Sequence, residues 1–196
     1  MFTGIVQDFG SINYVNKGIY QIITKLDLSE SKEGSSISCN GVCLTAKNIK
    51  KNDDDTFKFE VNIGEETLLR TNLSQNISKN KKINIEKSLK IGDEIGGHFV
   101  YGHIDCTTSV KDIIHLNNSW EFYFEKNFHK NNKFISEKAS ISINGISLTI
   151  ANVLENTFVI SVIDHTYTHT NLQYSKIDDQ VNIEFDYLAR FGFNNE

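Results

Sequence analysis

Ser36-Ile-Ser-Cys-Asn-Gly-Val-Cys-Leu-Thr45 returns about 100 residues later as Ser140-Ile-Ser-Ile-Asn-Gly-Ile-Ser-Leu-Thr149, with seven identities in ten and no gap. In each copy an alternating apolar and polar run leads into Asn-Gly, at 40–41 and 144–145, and a second run leads out. Asn and Gly tolerate the left-handed backbone of a two-residue turn, so the pattern predicts a β-hairpin in both places. Outward from these hairpins the chain keeps matching itself in order. Thr56-Phe57 answers Thr157-Phe158, and Glu66-Thr67 ahead of Thr71-Asn72-Leu73 answers His165-Thr166 ahead of Thr170-Asn171-Leu172. Ile83-Asn-Ile-Glu86 answers Val181-Asn-Ile-Glu184, and at the front Gly4-Ile5-Val6 answers Gly102-His103-Ile104. A repeat this long is a domain rather than a solenoid unit. The boundary falls near residue 98, giving one module over 1–97, a second over 98–187 and a short tail or helix over 188–196.

Within each module, period-2 runs at 36–39, 56–63 and 82–86, then at 120–124, 158–163 and 180–185, read as half-buried strands. Helical periodicity is confined to a turn at 65–69, its counterpart in the second module, and a short one between 127 and 135. About six antiparallel strands in under 100 residues favour closure into a small barrel, because closure removes exposed edges. The fold class is all-β, two similar tandem barrels with short helices.

Composition narrows the function. Apolar residues make up 39% of the chain, with 13 Phe and 7 Tyr, which is enough to pack two cores. The net charge is −5 with both signs well mixed, so no cationic surface for nucleic acid is evident. No run approaches the roughly 20 apolar residues that cross a bilayer, and the start, Met-Phe-Thr-Gly-Ile-Val, lacks a basic leader. The sequence is read as a soluble cytoplasmic protein. Three cysteines, Cys39, Cys43 and Cys106, are an odd number and are expected as reduced thiols.

Cys43 and Ser147 hold one position in the two modules, just after the Asn-Gly turn, and both can act as nucleophiles. The plain alternative is a small residue filling a barrel rim. The segment Gly92-Asp-Glu-Ile-Gly-Gly-His-Phe-Val-Tyr-Gly-His-Ile-Asp105 is the densest in chemistry, with glycines that let backbone approach a ligand or another chain closely. A phosphate loop is the weaker reading there, since no Lys-Ser/Thr follows. A zinc site from His98, His103, Asp105 and two cysteines is weaker still, because Cys39 and Cys43 lie four apart across a turn. Asp186, just past the last strand, is by itself a solvated carboxylate.

With Met-Phe-Thr-Gly-Ile-Val, Asn-Gly-Val-Cys-Leu-Thr, Gly-Gly-His-Phe-Val-Tyr-Gly-His and Asn-Gly-Ile-Ser-Leu-Thr in this order, the chain resembles the riboflavin synthase family over residues 1 to about 190. The resemblance implies two six-stranded antiparallel Greek-key barrels, each holding one 6,7-dimethyl-8-ribityllumazine. It implies a dismutation of two such molecules to riboflavin and 5-amino-6-(D-ribitylamino)uracil, with no metal or redox cofactor. It also implies a homotrimer whose active site forms between the N-terminal barrel of one subunit and the C-terminal barrel of a neighbour, with lumazine synthase as a further partner.

By motif, Cys43, His103, Ser147 and Asp186 match the family's catalytic residues. The binding shell implied in the first module is Gly4, Ile5, Val6, Cys43, Leu44, Thr45, Asn62, Ile63, Gly64, Glu65, Glu66 and Thr67. In the second it is Gly102, His103, Ile104, Lys138, Ser147, Leu148, Thr149, Ile163, Asp164, His165, Thr166, Tyr167 and Thr168. The chain departs from the family where Asn144 stands for a common Asp and Asp164 for a usual Pro. Leu188-Ala-Arg-Phe191 is followed by five residues where relatives continue into a longer helix that helps hold the trimer. The rival class is the family's non-enzymatic relatives, antenna proteins that bind a lumazine or flavin and lose catalytic positions. Retention of Cys43, His98, His103, Ser147 and Asp186 favours the enzyme, and a bare β-barrel interaction module explains none of these motifs.

Overall fold

The computed structural model describes residues 1–192; of the expected tail, 193–196 lie outside the described residues. The first module contains β1 (Asp8–Asn16), β2 (Ile19–Thr24), β3 (Ser36–Cys39), β4 (Val42–Thr45), β5 (Lys47–Lys51), β6 (Phe57–Asn62) and β7 (Lys82–Lys87). The second contains β8 (Cys106–His115), β9 (Ser119–Glu125), β10 (Ser140–Ile143), β11 (Ile146–Val153), β12 (Thr157–Ile163) and β13 (Gln180–Phe185). Short helices follow the sixth strand of the first module and the fifth of the second: α1 (Glu65–Arg70) and α2 (Leu73–Ser78), then α3 (Asp164–Thr168) and a 3-10 turn Asn171–Tyr174. A further 3-10 turn spans His129–Phe134, and α4 (Tyr187–Gly192) ends the described chain.

The second module closes as a barrel in the order β10-β11-β12-β9-β8-β13. The first has the order β4-β3-β7-β1-β2-β6-β5, and its two end strands are consecutive in the chain. The difference lies at one residue. Ile150 lies inside β11, which pairs with β10 on one side and β12 on the other. Its counterpart Ala46 interrupts the same path, splitting it into β4 and β5. Both residues donate and accept the same backbone bonds, Ala46 with Gly34 and Ser35 and Ile150 with Lys138 and Ala139. The first module is therefore the same ring with its ladder broken at a single buried alanine.

The alternation seen in the sequence is the alternation of burial in β6 and β9. By contrast, β3, β7, β10 and β13 are buried on both faces rather than half-buried, their polar rows (Ser38, Asn84, Glu86, Ser142, Asn182, Glu184) being enclosed as well. Ile22, Phe59, Val61, Ile83 and Ile85 point into the first core, and Phe122, Phe124, Phe158, Ile160 and Ile183 into the second, all fully buried. At about 1.5–3 kcal/mol for each large apolar side chain, these rows fix the register, because a one-residue slip would turn each row outward. The Asn-Gly turns are the two-residue type: Asn40 and Gly41 have φ of 53° and 83°, and Asn144 and Gly145 have 49° and 79°.

These two turns also face each other. A Cβ on Gly41 would lie 2.7 Å from the Gly145 nitrogen, so the barrels meet backbone to backbone there. Around that contact lies a pseudo-symmetric network of buried asparagines. Asn72 donates to Asn144 Oδ1 at 3.0 Å and Asn171 donates to Asn40 Oδ1 at 2.9 Å. The Asn72 and Asn171 backbone N–H groups donate to Asn182 and Asn84 side chains, both at 2.7 Å. Asn84 and Asn182 in turn donate to the carbonyls of Asn144 and Asn40. Asn144 is thus a strut between barrels, its side-chain oxygen also accepting from Asn182 N–H. These tertiary bonds, with Leu73 and Ile77 one turn apart on the first core, account for α2, whose Leu-Ser-Gln-Asn-Ile-Ser sequence is otherwise polar.

Candidate active site

Each barrel's rim is completed by the arm of the other module. Gly4 lies against Ser147, whose N–H donates to the Gly4 carbonyl at 2.8 Å, and Val6 packs on the second core. Gly102 lies against Cys43, whose N–H donates to the Gly102 carbonyl at 3.0 Å, and Ile104 packs on the first core. Both glycines are left-handed, with φ of 73° and 82°. A Cβ on Gly4 would stand 2.6 Å from Ser147 N, so only glycine fits this approach.

At the N-terminal rim, Cys43, Glu66, Thr67, Gly102, His103 and Ile104 line a cavity of about 270 Å³ together with Val42, Arg70 and Thr71. The last three are not among the expected binding residues; Arg70 is reachable from the sequence as the i+4 partner of Glu66, to which it is paired at 3.0 Å. Leu44 and Ile63 belong to the core rather than to the open surface. Thr45 ends β4, Asn62 ends β6, and Gly64 precedes Glu65 at the start of α1. The Cys43 side chain is half-buried, whereas Cys39 is fully buried and its thiol pushed far up by desolvation.

At the C-terminal rim the hydroxyl of Ser147 sits 2.6 Å from His98 Nδ1. Burial lowers the His98 pKa below the usual imidazole value, and the Asp186 carboxylate partly opposes that. The neutral ring is thereby favoured near pH 7, and in the tautomer with hydrogen on Nε2 its Nδ1 accepts a hydrogen bond from the Ser147 hydroxyl. Asp186 also accepts from Leu188 N–H at 3.0 Å and caps α4. Leu148 belongs to the core, Thr149 pairs with Ser140 in the sheet, and Lys138 is exposed just before β10. Ile163 precedes α3, and Asp164, His165, Thr166, Tyr167 and Thr168 form it. Tyr167 is stacked on Trp120 at 4.0 Å, and His115 is stacked on the same indole at 4.1 Å. Within one chain, then, Cys43 and His103 share one rim, and Ser147 shares the other with His98 and Asp186.

A larger cavity of about 580 Å³ lies between the barrels, lined by residues such as Lys79, Lys82, Tyr174 and Lys176, and includes none of the expected site residues. Among the described residues no three His, Cys, Asp or Glu side chains come together as a metal site, and no helix is long and apolar enough to cross a membrane.

The lumazine binding domain model matches twice, over residues 3–88 and 101–186. A riboflavin synthase of Brucella abortus is 37% identical over 98% of this chain and 96% of its own, and one of Bacillus subtilis is 34% identical over 98% and 88%. Among solved structures, LumP complexed with riboflavin superposes with a TM-score of 0.78 at 23% identity, covering 94% of this chain and 99% of that one, a likeness of fold. Fold and rims define a tandem pair of lumazine-binding domains. The chain belongs to the riboflavin synthase family.

Proposed function

We propose that the protein is the enzyme that dismutates two molecules of 6,7-dimethyl-8-ribityllumazine, one giving a four-carbon unit to the other, to form riboflavin and 5-amino-6-(D-ribitylamino)uracil. The observation that carries this reading is the pair of rims: one backbone cradle built twice, with unlike chemistry at the equivalent positions Cys43 and Ser147. A reaction between two copies of one compound in unequal roles calls for that arrangement. Holding the two rings together turns a rare encounter into a step within one complex.

The substrate-binding residues would be those carried over from the two module halves, with Thr67 and Thr166 hydroxyls and the rim backbone hydrogen-bonding the pyrimidine edge and ribityl chain. One lumazine must accept a nucleophile at its ring carbon, and the other must lose a proton from its 7-methyl group, whose anion the electron-poor ring delocalises. Ser147, against a neutral His98, is suited to assist addition or proton transfer on one lumazine. Cys43 and His103 would flank the other, with His103 shuttling protons and Asp186 supporting the Ser147 side. In this reading the enzyme is a transferase, cytoplasmic, with its two lumazine-binding domains at 1–97 and 98–187. It acts as a homotrimer that brings an N-terminal rim of one subunit against a C-terminal rim of another, with lumazine synthase as its supplier and partner.

The test is direct. Purified protein incubated with 6,7-dimethyl-8-ribityllumazine should develop riboflavin absorbance. Bound, fluorescent lumazine that never yields riboflavin with ample protein would instead mark a binding protein of the antenna class.

A further inference from the structure

Two buried carboxylates stand outside this chemistry. Glu86 on β7 and Glu184 on β13 are each 5% exposed and occupy equivalent places in the last strand of each barrel. A buried carboxylate is costly, and an apolar residue would fill a strand position at less cost, so its hydrogen-bond partners carry the explanation. Those partners are backbone. Glu86 Oε1 accepts from Thr3 N–H at 2.8 Å and the Thr3 hydroxyl at 3.1 Å, and Oε2 accepts from Gly4 N–H at 3.1 Å. Glu184 Oε1 accepts from Tyr101 N–H at 2.7 Å, and Oε2 accepts from Gly102 at 2.9 Å and His103 at 3.2 Å. Consecutive N–H groups around a left-handed glycine converge on one anion, the geometry of a backbone nest.

The arms so held do not serve the barrel that holds them. The arm clamped by Glu86 presents Gly4 to Ser147, and the arm clamped by Glu184 presents Gly102 to Cys43. We infer that Glu86 and Glu184 are positioning residues acting crosswise: each carboxylate of one barrel sets the rim of the other. Glu184 sets the Cys43 rim and the backbone of His103; Glu86 sets the Ser147 rim. A glutamine in either place keeps one acceptor oxygen and sets an NH₂ group against the remaining N–H donors, so it keeps the shape and breaks half of the clamp along with its charge. The consequence for turnover rests on the function proposed above; the clamp itself does not.

The experiment is amide hydrogen exchange of the ligand-free protein, read at Cys43 and Ser147, whose N–H groups bond to the two arms. Loss of a charge-assisted clamp should speed exchange at Cys43 about tenfold in Glu184→Gln and leave Ser147 within about twofold. Glu86→Gln should do the reverse. If either glutamine variant fails to fold, Glu184→Asp and Glu86→Asp, which keep the charge and shorten the reach, should show the same crossed pattern at smaller size. Exchange that quickens equally at both residues, only in the mutated barrel's own rim, or at neither, overturns the inference. Because no substrate is present, a protein that makes no riboflavin would still pass or fail this test.

Discussion

At the N-terminal rim Cys43 faces Gly102 and His103 beside a Glu66–Arg70 ion pair, whereas at the C-terminal rim the same backbone positions carry Ser147, with His98, and a stacked His165–His169 pair at 4.2 Å. The helix behind the first rim rests Leu68 on the core; the one behind the second locks Tyr167 onto Trp120. The backbone bonds are shared to within 0.2 Å, 3.0 Å at Cys43 and 2.8 Å at Ser147, so what differs is side-chain chemistry on a common cradle. The repeat carries one backbone cradle twice, and the two copies differ in the side chains set on it.

The comparison breaks most severely at the arms. Gly102→Ala puts a Cβ onto Cys43 at a left-handed φ of 82°, and should cost about 3 kcal/mol or more in denaturant unfolding. Gly34→Ala, at φ 87° with nothing within 4 Å, should cost only the backbone strain of about 1–2 kcal/mol. Equal losses would mean that the crossed arm is not tightly seated.

Ser147→Ala should slow riboflavin formation about a hundredfold with little change in lumazine affinity, as expected for loss of one acid–base group. Equal loss of turnover and binding would make Ser147 a binding residue. The asparagine struts give a milder and symmetric effect. Asn72→Ala and Asn171→Ala should each destabilise the chain by about 2 kcal/mol, because each removes side-chain hydrogen bonds to buried groups of the opposite barrel, Asn144 and Gln180 for Asn72, and Asn40, Lys82 and Asn84 for Asn171. Clearly unequal values would mean that the network does not share its load.

The smallest effect is on pH. Burial raises the Glu86 carboxyl from 4.5 to about 7, against the pull of its N–H donors, while Lys87, Lys90, Asp93 and Glu94 line the same cleft. A folded-state pKa above the unfolded one means that the folded protein takes up the proton more readily. Its contribution is complete below the unfolded pKa and is lost as pH rises through about 7. Wild type should therefore lose stability relative to Glu86→Gln between about pH 5 and pH 8 in unfolding titrations. Glu184 is raised for the same reason and should show the same sign.

Much of this was legible in the sequence. The doubling, the Asn-Gly hairpins and the strand runs at 36–39, 56–63 and 180–185 follow from periodicity and turn chemistry. Nothing in the sequence says against which barrel Val6 or Ile104 packs, so the crossing of the arms was out of reach. Ala46 reads as one more strand residue, and only the ladder shows the break. Asn72 and Asn171 read as polar loop residues because their partners lie 110 and 87 positions away. His98 was visible in the glycine-rich segment, yet nothing local tied it to Ser147, 49 residues on.

The central claim is that two unlike rims hold two copies of one compound in unequal roles, and mass balance tests it most directly. With 6,7-dimethyl-8-ribityllumazine as the sole substrate, one riboflavin and one 5-amino-6-(D-ribitylamino)uracil should appear for every two lumazines consumed. Lumazine that binds and is recovered unchanged, or riboflavin formed without the uracil, would contradict it.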